Sequence, residues 1–351
     1  MRRLCIIAAV ALQVFVLAWM GAERELILRT GKMVRLRTAP VDPTDAMRGE
    51  YVRLDYAIAH VPRSLCRDAL ARPDKPPEQF TRDTKVYAAL RVEEDGVAEL
   101  ISLSDRPPAD ALFLRGRTEP SWGNEVRVHY GLEAFFMQQG RAAAVENERW
   151  QEFRGVPLIV EAAVGRNGVG VLRSFRWDSL GLTLLFDNTN GPAQPPAPGR
   201  FMPARAPITA IRAVLRNHGT NELAILDLPG GRSFALVPDV VFGGAFWHWV
   251  GESNAPPVPR PEDVVVLKPG EAHTNRIDVL DPAWFVVNTA VRPRDERKPC
   301  SIASLTGEWS LSFRLEYRPP DRETCRNLPA ADLIWHGRLP SLRIWPRGGM
   351  D

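Results

Sequence analysis

Proline recurs too often along this chain for long regular elements to survive in most of it. Thirty-one of the 351 residues are proline and 26 are glycine. Proline fixes φ and lacks an amide hydrogen, so it breaks helix interiors and central strands alike. A chain cut this often is expected to fold as short strands joined by turns. Its length accommodates two or three domains. Hydrophobic residues make up 45% and charged residues 25%, which excludes a disordered chain. The formal net charge is +3, and arginines are scattered instead of grouped, so nothing points to nucleic acid as a partner.

One segment escapes this pattern. Leu4 to Ala22 is an apolar run interrupted only by Gln13. As a helix it would span roughly 28 Å at ~1.5 Å per residue, close to the hydrocarbon thickness of a bilayer. Arg2 and Arg3 precede it and place the amino terminus in the cytoplasm. A cleaved signal peptide competes with this reading. It wants small residues at −1 and −3, yet cutting after Ala22 or Gly21 would put Met20 or Trp19 at −3. The expectation is an anchor over residues 1–24, embedded in the lipid bilayer through residues 4–22. The protein would then be single-pass in the inner membrane, with its body on the periplasmic side.

From residue 25 to 178 a mostly β domain is expected. Met33–Thr38 alternates apolar and polar, and Tyr51–Ile58 does so cleanly. Further strands are expected at Lys85–Val92, Ala98–Leu103, Glu125–Tyr130, Pro157–Val164 and Val169–Trp177, with a short helix around Arg141–Phe153. The segment Val41-Asp42-Pro43-Thr44-Asp45-Ala46-Met47-Arg48-Gly49-Glu50-Tyr51-Val52-Arg53-Leu54-Asp55-Tyr56 resembles the GDYxxLxY family of membrane-anchored bacterial proteins. Gly49, Tyr51, Leu54 and Tyr56 match, while Glu50 stands where the family has Asp. Tyr130-Gly131-Leu132-Glu133-Ala134-Phe135-Phe136, followed by Gly140 and Glu146, is similar to the family as well. The resemblance covers residues 1–178 and implies an accessory protein, often associated with multispan membrane proteins. Physically, the motif reads as a turn followed by a core strand. The competing reading is a surface on which Tyr51, Asp55, Glu133 and Glu146 meet a ligand or partner.

Residues 179–351 read as an antiparallel sandwich: Leu180–Phe186, Ile208–Arg216, Glu222–Asp227, Ser233–Leu236, Val264–Leu267, Arg276–Val279, Trp309–Tyr317 and Ser341–Trp345 are short and turn-separated. Trp309–Tyr317 with Ile334–Leu339 and Leu342–Ile344 is similar to the last hairpin of bacterial immunoglobulin-like modules. The fold class expected is therefore mainly β: a transmembrane helix, a mixed mostly-β domain, then an immunoglobulin-like sandwich. Cys300 and Cys325 flank Trp309–Tyr317 and could close a disulfide in an oxidising compartment; two free thiols are the alternative. Phe246, Trp247 and Trp249 form the densest aromatic patch, read either as core or as a partner-docking loop. The six histidines form no paired motif, so neither a metal site nor a cofactor is expected. There is no nucleophile elbow, Walker loop or dinucleotide fingerprint. The leading functional expectation is a non-enzymatic module presenting a surface to another membrane or envelope protein. An envelope enzyme using Asp55, Glu133 and Glu146, and a structural spacer, are the alternatives.

Overall fold

The computed structural model describes residues 2–38, 51–71, 83–93, 96–119, 125–136, 155–188, 207–239, 244–253, 257–308, 310–346 and 349–350. The chain divides into two compact units. The first takes the described residues of Met1–Ala39, Met47–Ala142 and Leu158–Arg176, and the second those of Ala143–Pro157 and Trp177–Asp351.

The first unit opens with the helix α1 (Arg2–Thr30). Its large apolar side chains from Ile6 to Met20 stand 46% to 69% exposed. Among the described residues, no helix is long and apolar enough to cross a membrane. Leu4, Cys5 and Ala8 of the expected span have side chains outside the described set. Near its end the helix packs on the body: Ile27 is buried, and the Gly31 amide donates to the Ile27 carbonyl at 2.7 Å.

Ten strands follow: β1 (Lys32–Arg37), β2 (Tyr51–Arg53), β3 (His60–Pro62), β4 (Lys85–Val92), β5 (Ala98–Ser104), β6 (Leu112–Glu119), β7 (Glu125–His129), β8 (Ala134–Phe136), β9 (Leu158–Val164) and β10 (Gly170–Trp177). They form a five-stranded sheet in the order β3-β7-β6-β4-β5, a three-stranded sheet β1-β9-β10, and the ribbon β2-β8. β1 runs antiparallel to β9, Lys32 opposite Val164 through Arg37 opposite Ile159. Val34 and Leu36 alternate inward along it, as the sequence pattern requires.

Two expectations change here. Tyr51–Ile58 is not one strand: β2 ends at Arg53, and a 3₁₀ turn over Ala57–Ala59 separates it from β3. The backbone turns because the Leu54 amide donates to the Glu133 carbonyl at 2.8 Å and Tyr56 turns into the core. β6 lay outside the expected strands. Its inward positions are Leu114, Gly116 and Thr118, of which only one is a large apolar residue. The helix expected around Arg141–Phe153 lies outside the described residues.

Among the described residues the named strands of the second unit pair antiparallel, and one isolated parallel bridge joins Ala224 to Ile334. Its strands are β11 (Leu180–Asn188), β12 (Ile208–Asn217), β13 (Leu223–Leu226), β14 (Phe234–Pro238), β15 (Trp247–Trp249), β16 (Val264–Leu267), β17 (Ala272–Asp278), β18 (Val286–Asn288), β19 (Phe313–Tyr317), β20 (Leu339–Pro340), β21 (Ile344–Trp345) and β22 (Gly349–Met350). The sheets are β11-β12-β17, β14-β19-β21-β22 with β20 on β19, and the ribbons β13-β16 and β15-β18. One core draws Leu180, Leu182, Leu184, Ile211 and Leu215 from the first of these sheets and Phe234, Leu236, Phe313, Leu315 and Tyr317 from the second. A short helix, α2 (Arg322–Cys325), carries Cys325 into a separate small cluster with Ala224, Leu226 and Ile334.

The expected Cys300–Cys325 bridge is absent, and both thiols are free. The reason is placement. Cys300 pairs its backbone with Val286 and packs against the main core, whereas Cys325 sits in the small cluster with its thiol 3.7 Å from the Pro320 carbonyl.

Candidate functional site

The motif residues converge where the segment after β2 meets the turn between β7 and β8. Tyr56 is 0% exposed, and its hydroxyl donates to the Leu132 carbonyl at 2.7 Å. Tyr130, also buried, donates its hydroxyl to the Ile58 carbonyl at 2.8 Å. The two tyrosines thus reach in opposite directions between the same two segments. Gly131, at φ +75°, makes the turn that lets the chain fold back, a conformation a side chain would strain. Glu133 closes it by accepting the Tyr130 amide at 2.6 Å. Burial, and then the charge of Glu133, pushes both phenol pKa values upward. Both hydroxyls therefore act as donors in the structure and are unsuited to act as bases.

The same segments send their carboxylates outward. Asp55 lies 2.9 Å from the His60 ring and 3.8 Å from Arg127. Arg127 pairs with Glu119 at 3.4 Å. Glu119 meets one ring nitrogen of His129 at 3.2 Å, and Glu133 meets the other at 2.7 Å. The strand register explains the row: His60 on β3 stands opposite Arg127 on β7, and Arg127 opposite Glu119 on β6. Outward positions on neighbouring strands are side by side, which is what brings such groups into pairs.

The result is a half-exposed strip, His60–Asp55–Arg127–Glu119–His129–Glu133. Three carboxylates and one arginine give it a formal charge of −3 + 1 = −2 with both imidazoles neutral, and 0 with both protonated. His129 can bond both carboxylates as a donor only when both ring nitrogens carry protons. The strip is built to hold charge and hydrogen-bonding groups in fixed places on a sheet face.

The structure thus joins Asp55 and Glu133, which the sequence singled out, through three residues it did not. Leu54, Tyr56, Tyr130 and Gly131 form the support beneath. Tyr51 lies on β2 opposite Phe136, and its side chain is outside the described set. Gly49, Glu50 and Glu146 lie outside the described residues. Arg127 and His129 alternate outward against buried Val126 and Val128 on β7, which marks them as surface positions; their meeting with Glu119 on β6 comes from strand register.

In the second unit the aromatic patch splits. Trp249 is 8% exposed, stacks on Trp284 with centroids 5.3 Å apart, and donates its indole N–H to the Ala283 carbonyl at 2.9 Å. Trp247 is partly buried against the core, and Phe246 is 60% exposed. Among the described residues, no group of three or more His, Cys, Asp and Glu side chains is placed to hold a metal ion.

The GDYXXLXY protein family model matches residues 13–175, which include the crossed tyrosines and the strip. No curated protein and no solved structure matches the chain.

Proposed function

We propose that this chain is a membrane-anchored binding module whose first unit presents the His60–Asp55–Arg127–Glu119–His129–Glu133 strip to another membrane or envelope protein. The observation that carries the reading is the division of labour within the motif. Tyr56 and Tyr130 are spent on internal hydrogen bonds, while Asp55 and Glu133 stay partly exposed and are held by neighbours. Fixed, complementary charges on an exposed face are suited to orienting a protein partner.

The anchoring half of the proposal is supported by α1. A helix of 29 residues exposes Ile7, Leu12, Phe15, Leu17 and Trp19, and an apolar surface of that size calls for a cover. A bilayer is the cover that suits a helix apolar on all sides. With Arg2 and Arg3 on the cytoplasmic side, the chain after the helix lies outside the cytoplasm. We also read the second unit as an immunoglobulin-like sandwich; its shared core between two antiparallel sheets supports this.

The test is affinity purification of the full-length protein in mild detergent, compared with Arg127→Gln/Glu119→Gln. Both side chains are partly exposed, so the double variant keeps its fold. A stoichiometric membrane-protein partner recovered with the wild type and lost with the variant is the expected result. A purified body that turns over a small molecule without any partner would sink the reading. One observation favours that enzymatic alternative: His129 lies between two carboxylates, an arrangement able to relay a proton.

A further inference from the structure

Where α1 meets the body of the first unit it borders a cavity of about 850 Å³. One wall is apolar, formed by Leu26, Ile27, Leu112 and Phe113. The rim carries Lys32 and Arg166, both exposed and neither ion-paired among the described residues. Among the described residues the one carboxylate in the lining, Glu23, already accepts the Asn167 side-chain amide at 3.2 Å. Lys32 and Arg166 against Glu23 leave the lining at a formal +2 − 1 = +1.

Position adds to the chemistry. Leu26 follows the last residue of the apolar run by four positions, about 6 Å along the helix. That depth lies in the headgroup layer just past the hydrocarbon. An apolar wall beside two unpaired cations at that level suits a molecule with an anionic head and greasy tails.

We propose that this cavity binds an anionic phospholipid of the periplasmic leaflet, its phosphate between Lys32 and Arg166 and the upper acyl chains against Leu26 and Phe113. Free phosphate would satisfy the same cations and leave the apolar wall bare, so the lipid is the occupant that uses the whole site. The inference rests on the anchoring reading above.

The experiment places the full-length protein in nanodiscs of equal parts phosphatidylglycerol and phosphatidylcholine, extracts it gently, and weighs the retained lipid by native mass spectrometry. Lys32→Gln/Arg166→Gln is expected to lower phosphatidylglycerol retention about thirtyfold, the order expected for two cations beside an anionic surface. Lys298→Gln/Arg326→Gln, which removes the same charge from the second unit, should leave retention unchanged. Equal retention by wild type and Lys32→Gln/Arg166→Gln overturns the inference, as does inorganic phosphate displacing the lipid. A wild-type chain that enters the discs and holds no phosphatidylglycerol overturns the inference alone. One that stays out of the discs overturns the anchoring reading, and the lipid site with it.

Discussion

Tyr56→Phe removes a single oxygen from a place water does not reach. The ring stays, so the packing is kept; the Leu132 carbonyl loses the hydroxyl that meets it at 2.7 Å. A buried acceptor left unmet costs roughly 1–3 kcal/mol. Tyr130→Phe does the same to the Ile58 carbonyl. Because the two bonds tie the same pair of segments, their effects should not add; a coupling of about 0.5–3 kcal/mol is the expected range for groups that share a network. Hydrogen exchange read by mass spectrometry resolves this segment by segment. In either single variant, protection over 54–62 and 125–136 should fall about 5- to 140-fold, which is 1–3 kcal/mol at tenfold per 1.4 kcal/mol. Peptides over 208–217, in the second unit, serve as the internal reference and should not change. Unaltered protection at 54–62 in Tyr56→Phe, or an equal drop at 208–217, would show that the crossed hydroxyls do not hold the first unit's motif together.

Three further outcomes follow from the same geometry. Glu133→Ala should cost about 1–2 kcal/mol more than Glu133→Gln by calorimetry, since glutamine can still accept the Tyr130 amide and alanine leaves it unmet; equal losses would count against that bond. Burial, and then Arg216, depresses the His218 pKa below its usual 6.5. The unfolded chain therefore takes up the proton first as pH falls. The contribution is complete above about pH 6.5 and is lost below it, so His218→Gln should flatten the fall of the urea midpoint in that range. Burial, then the charge of Asp321, pushes the Cys325 thiol up to about 11. Iodoacetamide on the native protein should thus label Cys300 before Cys325, and a disulfide-linked Cys300–Cys325 peptide in the digest would contradict the free thiols.

Most of the strand pattern could be read from the sequence wherever apolar and polar residues alternate. Lys85–Val92 became β4 and Val264–Leu267 became β16, as expected. The failures have physical causes. β6 is a true alternating strand, but one of its inward residues is Gly116, where an added Cβ would lie 2.5 Å from a Val128 methyl. Close packing selected glycine there and erased the apolar signal that pattern reading depends on. Tyr51–Ile58 shows the reverse: its alternation is clean, yet long-range bonds from Leu54 and Tyr56 to the 132–133 turn break the strand. Asp55 and Glu133 were visible as candidates because they sit in the motif. Glu119, Arg127 and His129 were not, because their association comes from strand register, which a linear pattern does not carry.

The pairing of β1 with β9 sets an order of events during synthesis. Leu36 cannot meet Val160 until the chain has been extended to that point, and the full register awaits Val164. At about 5–20 residues per second, roughly 6 to 25 s separate the emergence of the two strands. Throughout that interval Val34 and Leu36 lack the β9 ladder, directly behind the apolar helix. The sheet β1-β9-β10 is therefore completed last within the first unit, and truncation before residue 164 should leave a sticky fragment instead of a smaller folded piece.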